Sequence, residues 1–152
     1  MHVAKEVLGN TGLTCNGQNI DLGLPWQRLY LREAIKNSCG IDFEDYPDAA
    51  SLRTRMAELG MDADPTKGKG RLIEELISTF VEPNLIQPTF LLDYPVEMSP
   101  LAKRKRGDGQ LVERFEGFVY GMEVANAFTE LNDPLEQRER FRQQLKERVA
   151  DE

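Results

Sequence analysis

Apolar positions along this chain change period several times, and each change marks a predicted element. Between Leu111 and Leu131 the run LVERFEGFVYGMEVANAFTEL mixes aromatic and β-branched residues with polar ones, as half-buried strands require. It predicts two antiparallel strands, Leu111 to Tyr120 and Met122 to about Leu131, joined by a tight reversal near Gly121. Upstream, LTCNGQNIDLG predicts another hairpin, whose reversal holds the favoured turn pair Asn16-Gly17. Trp26 to Leu31 forms a strand leading into the helix REAIKNSC, which Gly40 ends, and TFLLDYP forms a strand before the loop VEMSPLAKRKRGDGQ.

Helical spacing governs the rest. His2 to Gly9 predicts a short helix with Val3, Val7 and Leu8 on one side. Ala49, Leu52, Met56 and Leu59 recur at three- and four-residue spacing, with Pro47 suited to the first turn and Gly60 at the end. Leu72, Ile73, Leu76, Ile77 and Phe80 give an apolar face to a helix from about Gly70 to Glu82, which Pro83 ends. The last helix opens with Asp133 as N-cap, Pro134 at the first helical position and Glu136 completing a capping box; Phe141, Leu145 and Val149 form its apolar side. Strands interrupted by helices, with mainly hairpin connections, predict an α+β fold around an antiparallel sheet. Residues 1–152 are expected to form one domain or part of one, with about 41–86 as a small helical insertion.

Composition narrows the function. A chain of 152 residues can bury a real core. Its net charge of −7 argues against binding nucleic acid through a broad basic surface. Cys15 and Cys39 are too few and too isolated for a metal cluster or disulfide framework, so free thiols in a reducing cytosol are expected. MHVAKEVLGN lacks the features of a signal peptide, and no apolar run approaches the ~18–20 residues that span a bilayer. A cytoplasmic location without membrane partners follows as the expectation. The run Lys103-Arg104-Lys105-Arg106 beside Gly107 and Gly109 reads as a mobile, solvated turn rather than a nucleic-acid patch.

Candidate chemistry lies in the last hairpin. Glu116, Glu123, Asn126 and Glu130 stand among Phe115, Phe118, Tyr120, Val124 and Phe128, and desolvating a carboxylate without a partner is costly. Of the neighbouring residues only Arg114 is cationic, so a metal ion or cationic ligand is the natural partner. Glu116 and Glu123 lie near opposite ends of the connection, and oxygen-only ligation of this kind suits Mg²⁺. Solvated acids on an exposed sheet face would show the same pattern. Asn126, Phe128 and Glu130 are spaced by two, so a regular strand sets an amide, a flat apolar surface and a carboxylate on one face. Glu123 has the opposite parity, and a bulge or irregular turn between it and Asn126 would bring the two sets together.

RFEGFVYGMEVANAFTELNDPLEQRERF (Arg114 to Phe141), PTFLLDYPVEMSPLAKR (Pro88 to Arg104) and LTCNGQNIDLGLPWQRLYLREAI (Leu13 to Ile35) closely resemble bacterial class II lysyl-tRNA synthetase. The resemblance covers nearly the whole chain and points to the part of the catalytic domain between that family's second and third signature motifs. It implies a partial class II antiparallel sheet carrying a helical insertion. It further implies activation of lysine with ATP and Mg²⁺, then transfer to tRNA(Lys), by a protein that is a homodimer when full length. Glu116 and Glu123 would hold Mg²⁺, Glu123 and Val124 would contact ATP, and Asn126, Phe128 and Glu130 would line the lysine pocket. The family's core extends beyond both ends of this sequence, so the isolated chain is expected to be inactive and to associate through Phe115, Phe118 and Val119. A ligase that modifies a protein with a lysine-like amino acid is one alternative, and a non-catalytic folding or association module is another.

Overall fold

In the computed structural model, residues 1–150 are described, with side chains to residue 146. Helix α1 (His2–Leu8) precedes a hairpin of β1 (Gly12–Cys15) and β2 (Gln18–Asp21). Asn16 and Gly17 both take positive φ, 47° and 80°, the turn geometry whose twist matches that of the flanking strands. Val3, Val7 and Leu8, on one side of α1, are exposed, and only Ala4 of this helix is buried.

Strand β3 (Gln27–Tyr30) runs directly into α2 (Leu31–Cys39), which Gly40 ends as expected. Helix α3 (Ala49–Glu58) starts later than the proline suggested. Asp48 is its N-cap and accepts from Ser51 N at 2.8 Å, so Pro47 stands outside the first turn. The next helix, α4 (Lys69–Leu76), widens into a π turn over Ile77–Val81 and a 3₁₀ turn over Glu82–Asn84. Pro83 therefore lies inside the 3₁₀ turn instead of stopping an α-helix. Having no N–H to donate, it is compatible with a chain that has already left α geometry.

Strands β4 (Thr89–Pro95), β5 (Arg104–Lys105), β6 (Asp108–Val119) and β7 (Met122–Phe128) complete a five-stranded sheet with β3. β4 and β7 pair antiparallel with opposite edges of β6, and β5 shares the β7 edge nearer the start of β6. Among the described residues only β3 and β4 are parallel, a pairing that needs a long crossover, here supplied by α2 to α4. The architecture is α+β, with a mainly antiparallel sheet.

Helices and sheet share one core. Ile35 of α2, Leu52 and Met56 of α3, and Leu72 and Leu76 of α4 belong to the same buried cluster as Leu91, Tyr94 and Phe118 of the sheet. Phe118 is 1% exposed, so it is not one of the surface residues through which the chain was expected to associate; Phe115 and Val119 are half-buried.

The basic run also differs from expectation. Arg104 and Lys105 form β5, Arg104 pairs with Glu136 at 2.5 Å, and Lys105 pairs with Asp93 while lying 5.7 Å from the centre of the Tyr30 ring. Opposite charges placed by the neighbouring strand and helix turn a solvated loop into an anchored one. Helix α5 (Pro134–Ala150) is capped by Asp133, whose Oδ1 accepts from Leu135 N and Glu136 N. The Glu136 carboxylate takes Arg104 and Arg140 rather than closing the capping box. Phe141 and Leu145 are exposed on this helix, and the Val149 side chain lies outside the described residues.

Candidate functional site

Strand alternation sets Arg114, Glu116 and Phe118 on one face of β6, the face on which Phe118 enters the core. Across the ladder Arg114 pairs with Phe128, Glu116 with Asn126, and Gly117 with Ala125. The next pair is Phe118 with Glu123, so Val124 is an extra residue, a β-bulge. Directly opposed residues point to the same side of a sheet, so the bulge turns Glu123 onto the face shared by Glu116, Asn126 and Phe128. The parity conflict in the sequence is resolved at Val124.

Tyr120 and Gly121 close this hairpin, both with positive φ, 55° and 69°. The turn is clasped by the segment after α4: Tyr120 N donates to Ile86 O at 3.0 Å and Gly121 N to Leu85 O at 2.9 Å. A Cβ on Gly121 would stand 3.1 Å from Glu82 O, so this position needs glycine for space as well as conformation.

Glu116 is buried, and its hydrogen bonds account for that. Oε2 accepts from the Tyr94 hydroxyl at 2.6 Å, and Oε1 accepts from Arg114 Nη2 and from Asn126 Nδ2 at 3.1 Å. Burial, reinforced by the adjacent Glu116 charge, pushes the Tyr94 phenol well above its ordinary range, so Tyr94 stays a donor. Glu116 and Glu123 line one cleft of about 820 Å³ with Arg71, Glu82, Glu97 and Arg114. Burial, then the charges of Glu116 and Glu123, push the Glu82 carboxyl above its usual value. No group of three or more His, Cys, Asp or Glu side chains among the described residues is arranged to hold a metal by itself.

The residues singled out from sequence are thus brought together unequally. Glu116 and Asn126 are bonded, and Glu123 shares the Glu116 cleft. Phe128 is 38% exposed opposite Arg114. Glu130 lies beyond β7, exposed, where its backbone bridges Ala102. Tyr94 and Glu82 were not found from sequence. A tyrosine closing an apolar strand does signal a buried hydroxyl in need of a partner. Glu82 carries no local signal, because only the fold carries it to the hairpin.

The family described as tRNA synthetases class II (D, K and N) matches residues 1–152. A lysine–tRNA ligase of Moorella thermoacetica is 50% identical over 149 residues, covering 98% of this chain and 30% of that protein. One from Dehalococcoides mccartyi is 50% identical over 146 residues, covering 96% of this chain and 29% of that protein. Another, from Carboxydothermus hydrogenoformans, is 46% identical over 148 residues, 97% of this chain and 30% of its own length. The chain spans about 30% of the length of these relatives. No helix among the described residues is long and apolar enough to cross a membrane. With a match over all 152 residues on an α+β, mainly antiparallel sheet, this chain belongs to the class II tRNA synthetases of the D, K and N type.

Proposed function

We propose that this chain supplies the metal-facing and lysine-facing wall of a lysine–tRNA ligase. The bulge at Val124 carries the reading, because it gives Glu123 the same face as Glu116, Asn126 and Phe128. The donor set fits Mg²⁺. A carboxylate offers about four lone-pair sites, and the bonds from Tyr94, Arg114 and Asn126 leave Glu116 with capacity on Oε2. Glu123 is exposed and has no salt bridge among the described residues. Two carboxylates without a third suit an ion that completes its shell with substrate phosphates and water.

Glu116 and Glu123 would hold Mg²⁺, Glu123 and the bulged backbone at Val124 would contact ATP, and Asn126, Phe128 and Glu130 would receive lysine. Bound Mg²⁺ supplies charge neutralisation at the phosphates of ATP. A lysine side chain, an apolar stem ending in a point charge, complements an aromatic ring followed by a carboxylate. In the reaction a lysine carboxylate oxygen forms a bond to the α-phosphorus while the bond to pyrophosphate breaks; a tRNA(Lys) hydroxyl then forms an ester with the lysine carbonyl carbon, losing its proton, as the acyl–phosphate bond breaks and AMP leaves. No protein nucleophile enters, so the contribution of these residues is to orient the reactants and balance charge. A cytoplasmic homodimer is the form proposed for the complete protein.

The test is lysine-dependent pyrophosphate exchange by the complete ligase carrying this segment, measured against Mg²⁺ concentration. Glu123→Gln should raise the Mg²⁺ requirement by about tenfold, roughly the loss of one hydrogen-bond-strength charged contact, with little change in the KM for lysine. An unaltered Mg²⁺ dependence would reject the assignment. The isolated 152-residue chain should exchange pyrophosphate at least ~10²–10³-fold more slowly, since it spans about 30% of its relatives and loss of one preorganised donor costs that much.

A further inference from the structure

The reading above counts Arg114 only as a donor to Glu116, yet its guanidinium ties the two halves of the site together. Nη2 donates to Glu116 Oε1, Nε to Asn126 Oδ1 at 3.3 Å, and Nη1 to Ser99 Oγ at 2.8 Å and Met98 O at 3.2 Å. Its Cζ lies 4.6 Å from the centre of the Tyr94 ring. Glu116 and Asn126 are bonded to each other as well, at 3.1 Å, so the three side chains form a closed triangle.

The triangle has one self-consistent arrangement. A guanidinium only donates and a carboxylate only accepts, so the Asn126 amide must turn Oδ1 to Arg114 and Nδ2 to Glu116. Reversing the amide would set donor against donor and acceptor against acceptor. A simple counter-ion for Glu116 would need only the charge. The observed fork also reaches Asn126 and is itself held by Ser99 and the Met98 carbonyl, which a point charge on a flexible stem does not reproduce. Ser99 is in turn fixed, because its carbonyl accepts from the buried Arg140 at 3.0 Å.

We propose that Arg114 is a positioning residue common to both halves of the site, coupling occupancy of the metal position at Glu116 to occupancy of the amino-acid pocket at Asn126. This rests on the functional reading above. Ligands at the two positions act on one rigid planar group, so each alters the affinity of the other by the same factor. Ser99 sets the strength of the coupling by limiting how far the guanidinium can turn.

The experiment measures lysine affinity by calorimetry on the complete ligase, with and without Mn²⁺ and α,β-methylene ATP, whose α–β bridge resists cleavage. Mn²⁺ affinity is measured separately by its electron spin resonance signal. The unmodified ligase should bind lysine at least about fivefold more tightly with the metal nucleotide present, the lower end of ordinary coupling. Arg114→Lys, which keeps the charge, should cut that ratio below about twofold, and Ser99→Ala should reduce it by a smaller factor. If Arg114→Lys does not fold, Ser99→Ala decides. A ratio retained in a folded Arg114→Lys, retained in Ser99→Ala, or missing from the unmodified ligase overturns the proposal. Glu123→Gln separates the two claims. If it leaves Mn²⁺ affinity intact, the metal reading itself fails; if it abolishes Mn²⁺ binding while Arg114→Lys keeps the coupling, only the role of Arg114 fails.

Discussion

Asn126 lies directly across the β6–β7 ladder from Glu116 and donates from Nδ2 to Glu116 Oε1 at 3.1 Å. A residue proposed for the lysine pocket is thereby bonded to one proposed for the metal. Asn126→Asp replaces that donor with a second acceptor beside a buried carboxylate. Like charges so close disfavour joint ionisation, and the lost bond and repulsion should cost roughly 1–3 kcal/mol at neutral pH. Urea denaturation of both chains at neutral pH checks this.

Gly121→Ala tests the clasp between the hairpin and the segment after α4. The residue has φ 69°, and an added Cβ would meet Glu82 O at 3.1 Å. Left-handed backbone alone costs a non-glycine residue roughly 1–2 kcal/mol, and the carbonyl contact adds to it. Thermal and urea unfolding should show a loss of at least about that size, with the amides of Tyr120 and Gly121 losing hydrogen-exchange protection first.

Acid stability should depend on a pair remote from the cleft. Asp42 is 6% exposed and receives Arg32 Nε at 2.7 Å, Arg32 Nη2 at 2.9 Å and Lys36 Nζ at 3.1 Å. Its bond from Arg32, above all, holds its carboxyl down at about 2, against 3.8 for an ordinary aspartate. A carboxyl depressed on folding stabilises the chain fully above the unfolded value and loses that contribution as the pH falls through the folded one. Unfolding free energy should therefore decline between about pH 4 and pH 2, the interval the lowered carboxyl spans. Asp42→Asn should flatten this part of the profile and lower stability near neutrality by about 1.5–3 kcal/mol, the worth of charged hydrogen bonds.

Local rules were enough for what is local in this fold. Asn16-Gly17, Gly40 and the Asp133-Pro134 helix start could be read directly because turn and cap geometry depends on a few adjacent residues. The last hairpin and its acids were equally legible, since alternation fixes which residues share a face. The displaced features depend on distant partners. The extra residue at Val124 has no strong propensity of its own, and the sequence could say only that an irregularity was needed between Glu123 and Asn126. β5 pairs with β6, and its Arg104 and Lys105 meet the distant Glu136 and Asp93. Glu82 and Tyr94 reach the site from segments that only the crossover and the β4–β6 pairing bring close.

The central claim, that this strand face receives lysine, is tested most directly at Glu130. Beyond β7 it is exposed and makes no salt bridge among the described residues, so its charge is available to a ligand ammonium. Glu130→Gln keeps the shape and removes the charge, and a hydrogen bond to a charged group is worth ~1.5–3 kcal/mol. Steady-state kinetics of the complete ligase should then show kcat/KM for lysine reduced by at least about tenfold, with the KM for ATP little changed. Near-normal lysine kinetics in that variant would contradict the assignment of Asn126, Phe128 and Glu130 as the lysine-binding wall.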